Sequence, residues 1–118
     1  MGEKRSLQRA FKQSVARGVT LVDLGAPWCD PCRAQRPIVR SLEKRFSPAA
    51  RFKIINIERC RNIAMQLGIQ SIPTIILYKD GREMRRFIGL QTGDTLGKAL
   101  QQLIDEPNPP RRKTWEHA

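Results

Sequence analysis

Histidine is almost missing from this 118-residue chain: His117, at the far C-terminus, is the only one. A cysteine–histidine hydrolase needs a base beside its nucleophile, and one histidine in a terminal tail does not supply it. Cysteine is scarce too, with three residues. That is too few for the disulfide framework of a small secreted domain. Zinc wants four ligands, and beyond one cysteine pair only Cys60 and His117 remain. No stretch approaches the run of about 18 apolar residues that spans a bilayer, so no membrane association is expected. The first residues, Met1-Gly2-Glu3-Lys4-Arg5-Ser6, are charged and no apolar secretory core follows, which leads us to expect a cytoplasmic protein. Neither a Gly-x-Gly-x-x-Gly fingerprint nor a phosphate-binding loop is present.

Acidic residues are few. Eleven Asp and Glu stand against 22 Lys and Arg, giving a formal charge of +11. Such a surface attracts anionic partners. The seven aromatic residues are not interleaved with the basic ones as a base-stacking platform requires, so nucleic acid is expected to bind weakly at most. A solvated basic surface is the better reading. With 40% hydrophobic residues, a chain of this length can bury one modest core.

What is present centres on Trp28-Cys29-Asp30-Pro31-Cys32. Before it, Val19–Gly25 reads as a mostly apolar and therefore central strand, with one acid, Asp23, inside it. After it, Ile38, Val39, Leu42 and Phe46 recur at helical spacing, so a helix is expected from about Asp30 to Phe46. The pair thus falls at a strand-to-helix junction, with Cys29 at the helix N-terminus and Cys32 one turn inside. Unpaired N–H groups and the positive dipole end favour a thiolate at Cys29, the form that attacks disulfides. A mixed disulfide formed there can be resolved by Cys32.

The remaining elements follow from periodicity and punctuation. Residues 1–5 read as a lead-in, and Ser6 as the cap of a first helix carrying Leu7, Ala10, Phe11 and Val15 and ending near Gly18. Pro37 should kink the helix after the motif. Ser47-Pro48-Ala49-Ala50 makes a turn, and Arg51–Ile57 a second strand. A short helix near Arg59–Leu67 ends at Gly68, and a third strand covers Ile75–Tyr78. Asp80-Gly81 is a hairpin signal, so Arg82–Ile88 should run antiparallel to the third strand. Thr92-Gly93-Asp94-Thr95 leads into a last helix with Leu96, Leu100, Leu103 and Ile104. The domain is expected over 6–106, and 107–118, rich in proline and basic residues, as a disordered tail. This order implies an α/β fold: a four-stranded mixed sheet with helices on both faces.

Over about residues 7–105 the chain resembles the thioredoxin family. Leu21-Val22-Asp23-Leu24-Gly25-Ala26-Pro27-Trp28-Cys29-Asp30-Pro31-Cys32 is similar to the family's active-site strand and loop. Pro37 is similar to its helix-kinking proline, and Ser71-Ile72-Pro73-Thr74 to its cis-proline loop. Lys79-Asp80-Gly81 resembles the last hairpin, and Gly89 the glycine bordering the partner groove. The chain departs from the family at Asp30, where glycine is usual, and at Gly25, where an aromatic residue is common. Ile54 falls where the second strand usually offers a lysine near the buried aspartate. The family's first strand is reduced or missing, which would leave an exposed sheet edge.

The resemblance implies a protein-disulfide reductase with no bound cofactor beyond a redox-active Cys29–Cys32 disulfide. Its partners would be disulfide-containing proteins and a separate disulfide reductase that recycles it with reducing equivalents from NADPH. A monomer is expected. Cys29 would be the nucleophile, Cys32 the resolving thiol and Asp23 the proton shuttle, a role that suits a buried carboxyl with a raised pKa. Trp28 is expected to pack beside the pair and shield it, and Pro31 to stiffen it. Asp30 and Arg33 should pull the Cys29 thiolate in opposite directions. Pro73, if cis, would leave the Ile72 backbone free to pair with an extended substrate, beside a small apolar surface of Trp28, Ile72, Gly89 and Leu90. Cys60 is either a buried inert thiol or, as in some animal members of the family, regulatory. A rival reading is a binding module of the same fold, tethered by its basic surface and tail to nucleic acid or an acidic protein.

Overall fold

The computed structural model describes residues 2–107. The elements run α1 (Gly2–Ser14), β1 (Val19–Gly25), α2 (Asp30–Phe46), β2 (Ala50–Asn56), α3 (Arg61–Gln66), β3 (Thr74–Lys79), β4 (Arg82–Ile88) and α4 (Gly93–Asp105). The first helix begins four residues before the expected cap, so Ser6 lies within it and the residues before it are no lead-in. Glu3, Lys4 and Arg5 are good helix formers with no breaker after them, and local propensity carries the helix back to Gly2. The tail expected as disordered lies, from residue 108 on, outside the described residues.

The four strands form one sheet in the order β2-β1-β3-β4. β1 pairs parallel with β2 and antiparallel with β3, and β3 pairs antiparallel with β4. β1 is buried along its whole length, as its near-continuous apolar sequence requires. Asp80 and Gly81 both adopt positive φ, 51° and 85°, and close the β3–β4 hairpin. Asp80 also ties the hairpin to the end of α1's turn, its Oδ1 accepting the Gly18 N–H at 2.8 Å.

Two apolar layers sandwich the sheet. On one face Leu21, Ile75 and Leu77 pack with Val39, Leu42 and Phe46 of α2 and with Leu96, Leu100 and Leu103 of α4. On the other, Val22, Leu24, Ile76 and Tyr78 pack with Val15, Phe11 and Leu67, the Phe11 and Tyr78 rings meeting edge to face at 5.9 Å. Among the described residues no strand flanks the outer side of β2, in keeping with the expected loss of the family's first strand. Arg51 and Lys53 put charge on that edge, a common protection against edge-to-edge pairing. No helix among the described residues is long and apolar enough to cross a membrane.

Candidate active site

Strand β1 delivers the site and helix α2 completes it. Beyond Gly25 the chain turns through Ala26-Pro27-Trp28, and Cys29 becomes the N-cap of α2. Its Sγ accepts the Cys32 N–H at 3.2 Å, one of the donors every helix leaves unpaired in its first turn. Pro31, in that same turn, has no N–H to leave unpaired. Cys29 and Cys32 are joined as a disulfide, with Cα atoms 5.2 Å apart. Both are buried, Cys32 at 3% exposure and Cys29 at 7%, so Cys29 is the more exposed residue of the two. When the pair is reduced, the same N–H that now meets Cys29 stabilises negative charge on its sulfur.

The pair packs against Ala26, Ile57 and Ile72. Trp28, on the turn that precedes α2, is 65% exposed. Asp30 and Arg33 are both exposed and approach each other to 3.8 Å.

Across the site, the Ile72–Pro73 peptide bond is cis, and the Ile72 carbonyl oxygen lies 3.9 Å from Cys29 Sγ. Pro73 is held at the head of the β3–β4 pair, its carbonyl accepting the Gly89 N–H at 2.8 Å. Gly89 has φ of 90°, a conformation that glycine adopts without strain. Leu90 is 50% exposed.

Gln35 was not singled out from the sequence. It is fully buried one turn below Cys32 and makes a two-way bridge to Gln91. Its Oε1 accepts the Gln91 N–H at 2.8 Å, and its Nε2 donates to the Gln91 carbonyl at 3.1 Å. This fixes the Gly89–Gln91 segment to α2. The available signal was a polar residue in register with Cys32, Val39 and Leu42 on the buried helix face.

Gly25 also has a structural reason. A Cβ there would sit 2.9 Å from Cys32 Sγ, closer than real Cβ atoms come, so a side chain at this position would displace the sulfur.

Asp23 lies inside β1, opposite Ile54 of β2 and Ile75 of β3, and is 3% exposed. Burial pushes its pKa up from 3.8 to about 6, with the Arg36 guanidinium pulling in the other direction. A cavity of about 100 Å³ is lined by Asp23, Cys32, Arg36 and Ile54. Cys60 is a free, half-buried thiol at the start of α3. No group of three or more Cys, His, Asp or Glu side chains suited to a metal ion occurs among the described residues.

The thioredoxin family profile matches residues 4–102. The chain belongs to the thioredoxin family. A thioredoxin of Chlamydia caviae is 40% identical over 92 residues, spanning 78% of this chain and 89% of the relative. Thioredoxin 1 of Synechococcus elongatus is 35% identical over 94 residues, spanning 78% and 88%. Among solved structures, oxidised mitochondrial thioredoxin 3 of Saccharomyces cerevisiae superposes with a TM-score of 0.75 at 26% identity, covering 81% of this chain and 90% of that one. A Halobacterium salinarum thioredoxin mutant gives 0.72 at 28% identity, covering 81% and 82%. With its Cys29–Cys32 pair in bonding position, this family member is a protein-disulfide oxidoreductase that works by dithiol–disulfide exchange. Its substrates are disulfide-containing proteins, and its redox centre is the cysteine pair itself.

Proposed function

We propose that the chain is a cytoplasmic electron carrier that reduces exposed protein disulfides and is itself recycled by a separate disulfide reductase. The observation that carries this reading is the approach of the Ile72 carbonyl to Cys29 Sγ, at 3.9 Å. A substrate strand laid along Ile72 would bring its sulfur to Cys29.

The Cys29 thiolate attacks one substrate sulfur; the substrate disulfide breaks and its second sulfur leaves as a thiolate. The Cys32 thiol gives its proton to the Asp23 carboxylate and attacks Cys29 Sγ, forming the Cys29–Cys32 bond and freeing the first substrate sulfur. Two electrons have then passed to the substrate, whose two thiolates take up protons. In the recycling direction Asp23 returns the proton to Cys32 as it leaves. Pro31 limits the freedom of the reduced pair, while Asp30 and Arg33 set which partners are tolerated. Trp28, Ile72, Pro73, Gly89 and Leu90 form the docking surface.

Association with nucleic acid, on this reading, is a weak consequence of charge and no part of the activity. The protein works as a monomer, with a domain that begins with α1 and ends near residue 106 and a tail that is dispensable for turnover. Steady-state reduction of a folded protein disulfide tests the docking surface. Leu90→Asp should raise KM severalfold with kcat kept within about twofold, the signature of lost uniform binding. An unchanged KM would remove the docking surface from the account.

A further inference from the structure

Ile54 leaves β2 without a cation beside the buried Asp23, yet the cavity at that position is not uncharged. Arg36 lines it, together with Asp23, Cys32 and Ile54. Arg36 lies four residues beyond Cys32, which puts both side chains on one face of α2. The same cavity, about 100 Å³, is large enough to hold water beside these side chains. We propose that Arg36 is a positioning residue for the exchange reaction, supplying from α2 the positive charge that keeps the Asp23 carboxylate available to take the Cys32 proton.

The other groups around Asp23 leave this role to Arg36. From β2 the cavity receives Ile54, Ile55 and Asn56, none of them charged. From β3, Ile75 stands opposite Asp23. Lys53 sits one register position away, opposite Val22, and lines the groove beside α1 instead. Among the described residues Arg36 and Asp23 close no ion pair, and Asp23 accepts no hydrogen bond, so the coupling acts through the cavity. Arg36 is half-buried, which shields that coupling from bulk solvent. The direction agrees with chemistry: a guanidinium nearby favours the ionised carboxyl that a proton acceptor must be.

This inference rests on the shuttle role proposed for Asp23, and two readouts on the full chain separate them. The infrared carboxyl band of Asp23, assigned by its loss in Asp23→Asn, gives the ionisation midpoint and tests Arg36. The pH dependence of the Cys32 resolving step, followed on a preformed mixed disulfide, tests the shuttle. The midpoint should stay near the wild-type value in Arg36→Lys, rise in Arg36→Met and rise further in Arg36→Glu. It should fall again when Ile54→Lys is added to Arg36→Met. A rise of about one pH unit would cut the carboxylate fraction at pH 6 from about one half to about one tenth, a fivefold slowing of resolution. A midpoint that is the same in all of these variants overturns the role of Arg36. A resolving step whose pH profile is unmoved by Asp23→Asn overturns the shuttle, whatever the midpoints do.

Discussion

Replacing Asp23 by asparagine should stabilise the oxidised protein, and only above the pH at which the buried carboxyl ionises. Asp23 is 3% exposed inside the central strand, and burial lifts its pKa from 3.8 to about 6 against the pull of Arg36. The folded state therefore holds this proton more tightly than the unfolded chain does. The carboxyl's contribution to stability is fully present below about pH 4, is lost as pH rises through about 6, and stays lost above that. At about 1.4 kcal/mol per pH unit of difference, the ionised group costs the fold about 3 kcal/mol at neutral pH. Against the 5–15 kcal/mol stability usual for a domain of about this size, that is readily measured. Asparagine keeps the shape and cannot ionise, so any fixed cost of its amide is the same at every pH. Urea unfolding of both proteins between about pH 4 and pH 8 should show the variant gaining about 3 kcal/mol on wild type across that range. A difference that stays constant with pH would mean that Asp23 is not buried as a lone carboxyl, and the reasoning would fail.

Other outcomes follow from the same geometry. Gly25→Ala places a Cβ against Cys32 Sγ, where the disulfide has less room to yield than a rotating thiol. Its disulfide should be reduced more easily than wild type in glutathione equilibration; an unchanged midpoint would show that the contact relaxes freely. Gln35→Leu strands the Gln91 N–H and carbonyl and should lose roughly 2–4 kcal/mol in denaturant unfolding, with KM for protein substrates raised as the Gly89–Gln91 segment loosens. A stability within 0.5 kcal/mol of wild type, taken as roughly the reach of ordinary surface substitutions, would remove the anchor role. Association with nucleic acid should vanish between about 50 and 200 mM salt, and a complex that survives that titration would revive the binding-module reading.

Much of the fold was legible because its signals are local. The apolar run of β1, the helical spacing after Cys32 and the Asp80-Gly81 turn each determine one element by backbone chemistry alone. The active-site pair was legible for the same reason, since spacing and a helix start place both sulfurs. Features that depend on what faces what were not. Ser6 looked like a cap because serine favours that position, but nothing upstream of it breaks the helix. Gln35 and Arg36 read as ordinary polar positions on a helix. Only the sheet and the loop after β4 show that one fastens the Gly89–Gln91 segment and the other shares a cavity with Asp23. Gly25 seemed a departure from the family until the position of Cys32 Sγ gave it a cause.

Mass spectrometry of the Cys32→Ser protein mixed with a disulfide-bonded protein substrate bears most directly on the exchange mechanism. The account predicts a stable one-to-one adduct joined through Cys29, no adduct when Cys29→Ser is added, and no turnover in Cys29→Ser alone. An adduct through Cys60, or turnover that persists without Cys29, would contradict it.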